Sequence, residues 1–152
     1  MKKLLVLATL SVVSLSAGAV VQDQEWGDWY GNTGGMEFAI NTDNKAGERL
    51  TLECRDSRLT VKYSDGKGYD IDSTAKDPVM IIGGKSYKVD NEPSLDKKEG
   101  IPAEVLFNAL KKADPKETIR FSTFQSGETE PFSTKGLKAA LNDLTYQDCA
   151  DF

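Results

Sequence analysis

None of the 152 residues in this chain is histidine. Any proton transfer or ligand binding it performs must therefore use carboxylates, hydroxyls, lysines or backbone amides. A Ser-His-Asp triad, a Cys-His dyad, a His-ligated zinc or copper site and a His-based pH switch are all excluded. With 24 Asp and Glu residues, a carboxylate pair is the first arrangement to test. Glycoside hydrolysis needs two carboxyls at a set separation across a cleft, one of them shielded enough to stay protonated. Here the acids fall mostly in polar turns, where water solvates them. A hydrolase would require Asp70 and Asp72, or Glu104 and a partner, to converge in a deep pocket. Glu104 already has a simpler account at the first turn of a helix, where the dipole favours an acid.

Metal and phosphate chemistry fare no better. The run Asp65-Gly66-Lys67-Gly68-Tyr69-Asp70-Ile71-Asp72 alternates acids with glycines, but an EF-hand loop needs acids or amides at its third and fifth positions. Lys67 and Tyr69 stand there, so a hairpin turn is expected, with no metal or other cofactor. Gly31-Asn32-Thr33-Gly34-Gly35 lacks the strand-to-helix setting and the Lys-Ser/Thr pair of a phosphate loop.

Binding chemistry has more material. Phe124 to Pro131 is a polar stretch in which Ser126-Gly127 makes a turn able to protrude, Glu128 and Glu130 sit near its tip, and Pro131 stiffens its far end. A stiff loop loses little entropy on docking, and its carboxylates can accept from donors in a cleft. An ordinary strand-to-helix connection is the competing reading. Thr134, Lys135 and Gly136 follow at the start of a predicted helix. Trp26, Trp29 and Tyr30 crowd together, read as one end of a β core, with a carbohydrate or partner platform as the alternative.

The elements that must hold these groups are short. Met36, Phe38 and Ile40 alternate with polar or small residues, as do Leu50, Leu52 and Cys54, then Leu59, Val61 and Tyr63; this is the period of half-buried strands. Further strands are expected near Tyr69 to Asp72, Val79 to Ile82, Tyr87 to Val89 and Thr118 to Phe124, with Gly83-Gly84 as a hairpin turn. Pro102 opens a helix whose apolar stripe is Val105, Leu106, Ala109, Leu110 and Ala113, ended by Asp114-Pro115. Ser133 reads as the N-cap of a last helix, with Phe132 and Leu137 as a hydrophobic staple. The expected class is α+β: an antiparallel sandwich or partial barrel of five to seven short strands, with two helices in the C-terminal half.

Residues 1–19 read as a secretory signal. Lys2 and Lys3 precede the apolar run Leu4 to Leu15, and Ala17-Gly18-Ala19 supplies small residues for cleavage. The run is too short for a comfortable membrane span. Residues 20–152 then form one domain of 133 residues, with 17 basic against 24 acidic side chains, a net charge of −7. Such a domain repels nucleic acid and anionic lipid and suits a basic protein partner. After export to an oxidising compartment, the periplasm or the medium, Cys54 and Cys149 are expected to form a structural disulfide.

Two resemblances enter at this point. Small exported lysozyme inhibitors carry a Ser-Gly-x-x-Tyr loop and a later Thr-Lys-Gly element that together plug the lysozyme cleft. Gly83-Gly84-Lys85-Ser86-Tyr87 resembles the first, with Gly83 in the Ser position, and Thr134-Lys135-Gly136 resembles the second; Ser126-Gly127 lacks the following Tyr. The layout also resembles periplasmic immunity and accessory proteins of type VI secretion systems, through the segment Phe132 to Leu137 and the closing Cys149. Both imply a stoichiometric block on a cell-wall-degrading enzyme, a basic hydrolase or secreted effector; the expected contacts are Tyr87 and Lys135 from the resembling segments, with Ser126, Gly127, Glu128 and Glu130 from the polar loop. A structural or accessory envelope protein without inhibitory activity is the alternative, and exposed strand edges leave a homodimer open.

Overall fold

Apolar residues at every second position bury one face of a strand and leave the other to water, and the centre of the molecule is built on that pattern. The computed structural model describes residues 23–34, 38–95 and 100–150. Six strands follow one another as an antiparallel meander: β1 (Gln24–Trp26), β2 (Trp29–Asn32), β3 (Phe38–Asp43), β4 (Arg49–Arg55), β5 (Arg58–Ser64) and β6 (Asp70–Asp72). Trp29, Ile40, Leu50, Leu52 and Val61 point inward and are buried. On the outer face Tyr30, Asn41, Thr51, Lys62 and Asp72 stand side by side in register. Asp56 and Ser57, both at positive φ, make the two-residue turn from β4 to β5, which matches the twist of the strands it joins.

The second sheet contains β7 (Val79–Ile82), β8 (Lys85–Lys88), β9 (Thr118–Thr123), β10 (Gly127–Glu128) and β11 (Phe132–Ser133), in the order β10-β9-β7-β8, with β11 on the other end of β9. Met80, Ile82, Ile119 and Phe121 face the core. Helix α1 (Pro102–Lys112) buries Ala103, Leu106, Phe107 and Leu110. Two one-turn helices, α2 (Leu137–Ala140) and α3 (Gln147–Ala150), close the C-terminal part. Aromatic edges lock the layers: Tyr63 meets Phe132 at 6.5 Å, Phe38 meets Phe107 at 6.3 Å, and Phe107 meets Tyr146 at 6.4 Å between ring centroids. The class is therefore an α+β sandwich of two antiparallel sheets, with no closed barrel among the described residues.

Several local expectations are corrected. The described residues hold eleven strands and three helices, more than the five to seven strands and two helices expected. Ser133 is not an N-cap: it lies in β11, pairs with Thr118, and donates its hydroxyl to Asp28 at 2.7 Å. The helix begins only at Leu137, after Gly136 in the left-handed region at φ 94°. Sheet pairing along β9 outcompetes the local capping signal. In α1, Val105 is 48% exposed and Phe107 takes the core position instead. Trp29 is fully buried and Trp26 packs against the core, as the core reading expects, whereas Tyr30 stands on the outer face with its hydroxyl on Asp43 at 3.0 Å. The signal segment lies outside the described residues.

Cys54 on β4 and Cys149 on α3 are bonded, with Cα atoms 5.3 Å apart and a sequence separation of 95. This bond fits a protein held outside the reducing cytoplasm. No helix among the described residues is long and apolar enough to cross a membrane.

Tyr63 makes a measurable prediction. Burial, and then a hydrogen bond to Glu48, push its phenol up to about 12 from an ordinary 10. The raised value favours the protonated ring in the folded state, so its contribution is complete below pH 10 and is lost as the pH climbs towards 12. Phenolate absorbance during alkaline titration should show one tyrosine ionising last, together with unfolding. Tyr63→Phe should remove that late step.

Candidate binding site

The hairpin from β9 to β10 presents the most sharply defined surface feature. Thr123 Oγ1 accepts from the amides of Gln125 at 3.2 Å and Ser126 at 2.9 Å, while Ser126 Oγ accepts from the Thr123 amide at 3.2 Å. Gly127 completes the reversal at φ 63°. The Phe124 amide donates to the Lys76 carbonyl at 3.0 Å, and the Lys76 ammonium sits 4.9 Å from the phenyl centroid. The turn is thus fixed from both sides, yet the Phe124 ring is 74% exposed. Glu128 is paired with Arg120 at 2.9 Å across the hairpin, so it faces a cation of its own chain. Thr129 turns inward, its hydroxyl accepting from the Phe121 amide at 3.0 Å, and Glu130 returns to the surface.

A second group lies at the opposite end of the same sheet. Lys135 offers its carbonyl to the Asp28 amide at 3.0 Å, and the Trp29 indole donates to the Ser133 carbonyl at 2.9 Å. Thr134 is buried, its hydroxyl within reach of the Asp114 carbonyl at 2.6 Å and the Glu117 carbonyl at 2.9 Å. Of Thr134-Lys135-Gly136, only the Lys135 side chain is therefore exposed. The Gly83-Gly84 turn closes β7 and β8 at this end, with the Gly83 amide donating to Thr118 at 3.1 Å. Glu130 lines a cleft of 710 Å³ here with Asp28, Lys45, Glu117 and Phe132.

Tyr87 stands apart. It lies on β8, half-buried against the core, with the Lys85 ammonium 5.2 Å from its ring centroid. β7 and β9 separate it from Glu128 on β10, a span of roughly 14 Å at ordinary strand spacing. The structure thus brings Ser126, Gly127 and Glu128 together, places Lys135, Glu130 and the Gly83-Gly84 turn towards the other end, and separates Tyr87, on the hairpin that this turn closes, from the Ser126–Glu128 group.

The carboxylates singled out for hydrolysis are placed as follows. Asp70 and Asp72 line a groove of 510 Å³ with Arg49, Lys62, Thr74 and Gln125. Asp70 is exposed, and Asp72 accepts from the Thr74 amide at 2.8 Å and from its hydroxyl. Neither is enclosed by apolar groups as a general acid requires. Glu104 occupies the first turn of α1. On the neighbouring strand end, the Arg49 guanidinium holds the Asp43 carboxyl below its usual range, bonded at 2.8 and 3.2 Å. Among the described residues, no group of three or more His, Cys, Asp or Glu side chains is placed to hold a metal ion.

Phe124 is the residue that sequence reasoning passed over as a contact. Its signal is phase: inward positions along β9 are 119, 121 and 123, so an aromatic at 124 falls on the outward side. No protein-family model, curated protein or solved structure matches the chain.

Proposed function

We propose that this chain is an exported, non-enzymatic binding protein of the periplasm that blocks a basic cell-wall-degrading enzyme by inserting the β9–β10 turn into its cleft. The observation that carries this reading is Phe124: a large apolar ring held in water by a turn that the Thr123 and Ser126 hydroxyls lock. An anchor fixed before docking forfeits little conformational entropy, and aromatic anchors dominate interface energies. The acidic balance, net −5 for the whole chain, supports a basic partner by steering encounter. The Cys54–Cys149 bond supports export. Ser126 and Gly127 shape the turn, Glu128 and Arg120 brace its base, and Glu130 and Lys135 lie outside the inserted tip.

A basic muramidase assayed against increasing protein should lose activity at one-to-one stoichiometry. Phe124→Ala should weaken that inhibition about 30-fold, the equivalent of ~2 kcal/mol for an aromatic anchor, with an unchanged melting temperature. Inhibition that survives Phe124→Ala at full strength removes the turn from the account. A protein that neither binds nor inhibits basic muramidases belongs with accessory envelope proteins instead.

A further inference from the structure

We propose that the free edge of β8 is a strand-addition site for an extended acidic segment of another protein, a surface separate from the Phe124 turn. Among the described residues β8 pairs only with β7. The Val89 amide donates to the Pro78 carbonyl at 3.2 Å, so residues 85, 87 and 89 turn their backbone groups towards β7. By strand alternation, Ser86 and Lys88 turn theirs outward. Among the described residues nothing bonds to them there. An extended chain laid along this edge would satisfy those groups as the added strand does in β-augmentation.

Charge decides what kind of chain that is. Lys85 and Lys88 are two of the four residues of β8, in a protein whose sequence pI is about 4.8. A second copy docked edge to edge would add its own two lysines to the same ribbon. Four ammonium groups on two short strands repel, and like charges facing across strands are destabilising. The lysines that guard this edge against self-pairing attract an acidic strand. Asp90 is the acid beside them, and its carboxylate is already engaged by the Glu92 amide at 3.0 Å.

Side-chain phase adds a second requirement. On the core-facing side, Tyr87 opens onto a groove of 470 Å³ that Leu95, Pro102 and Val105 also line, and Leu95 and Val105 are among the exposed large apolar residues. Ser86 and Lys88, which also line this groove, alternate to the opposite face, while Lys85 shares the face of Tyr87. An incoming strand therefore places apolar side chains over the groove and acidic ones against Lys88, alternating with period two.

The test is a labelled, end-blocked peptide of alternating glutamate and valine, titrated into the full-length oxidised protein. Saturable binding is expected, weakening as salt rises, together with slowed amide exchange at Ser86 and Lys88. Lys88→Glu should weaken binding at least ~10-fold through charge reversal. Ser86→Pro should abolish it by deleting an outward donor that the fold does not use. Phe124→Ala should leave it unchanged, so failure here is distinct from failure of the muramidase experiment. Binding that survives both β8 substitutions, or a lysine–valine peptide that binds equally well, overturns the proposal. So does concentration-dependent self-association that Ser86→Pro removes.

Discussion

Replacing Cys54 and Cys149 together with alanine is expected to lower the unfolding free energy by about 4 to 5 kcal/mol. The bond joins positions 95 residues apart, and closing a loop of that length in the unfolded chain is assigned ~4.7 kcal/mol by the chain-entropy account. Domains of this size are commonly stable by about 5 to 15 kcal/mol, so the double variant stands near the limit of folding. The native contacts around the bond sharpen the expectation. Cys149 sits on α3 against β5, and the Tyr146 hydroxyl just before it donates to Asn91 Oδ1 at 3.2 Å. Asn91 in turn accepts from the Leu59 amide at 2.9 Å and donates to the Leu59 carbonyl at 3.0 Å. Without the disulfide, the tail is held by a four-residue helix, the Tyr146–Asn91 relay, the Tyr146–Phe107 ring contact and the Lys111 ammonium on the Asn142 and Leu144 carbonyls. Urea unfolding of the oxidised protein and of the double alanine variant measures the difference. A loss below about 1 kcal/mol would mean that the tail is held by its packing and that the bond adds little.

The disulfide was legible in the sequence because two cysteines, in a chain whose first residues read as an export signal, leave one pairing open. The central strands β3, β4 and β5 were legible because each alternates over six or seven residues with one buried face. The weak points share a physical cause. β10 and β11 are two residues long, and no local pattern marks so short a strand; they exist because β9 offers an unpaired edge opposite β7. The Phe132, Ser133, Leu137 arrangement carries a complete capping signature, yet Ser133 gives its backbone to Thr118 and its hydroxyl to Asp28. A cap contributes about 1 kcal/mol, and the sheet bond, the Asp28 contact and the Trp29 indole on the Ser133 carbonyl together exceed it.

The candidate site divides in the same way. Ser126-Gly127 as a turn followed from residue type alone. Its service to Phe124 did not, because the exposure of one ring depends on the Lys76 carbonyl, 48 residues away in the chain, fixing its amide. Glu128 shows the reverse case. In sequence it is a carboxylate available to a partner, and in the fold Arg120, one strand over, already occupies it. An exposed pair of this kind contributes little to stability, so its role is to hold the hairpin base in register. Glu130, one residue beyond the inward turn of Thr129, is the acid that remains directed at solvent.

Gly136→Ala is expected to destabilise the protein by about 3 to 5 kcal/mol, and Gly84→Ala by only about 1. Both glycines sit at positive φ, 94° and 83°, so both substitutions carry the cost of placing a side chain in the left-handed region, roughly 1 kcal/mol. They differ in surroundings. A Cβ on Gly84 would meet nothing within 4 Å, whereas one on Gly136 would lie 1.7 Å from the Trp26 carbonyl oxygen and 2.4 Å from its carbon. Those atoms belong to the β1–β2 turn, which is fastened by the Asp28 amide to Lys135 and by the Thr42 hydroxyl to the Asp28 carbonyl at 2.8 Å. Backbone held in this way cannot yield as a flexible side chain would, so overpacking adds the larger share. To relieve the clash the 134–136 turn must withdraw from Trp26, which breaks the Lys135–Asp28 bond and loosens the Trp29 indole from Ser133. Chemical unfolding of both variants, followed by tryptophan emission, separates the two costs. Equal losses would show that β1–β2 and the 134–136 turn do not meet at this distance in solution. Because Phe124 lies at the far end of the second sheet, the proposed cleft-blocking role predicts that the fraction of Gly136→Ala that remains folded inhibits a basic muramidase as the unaltered protein does, while Phe124→Ala loses inhibition and keeps its stability.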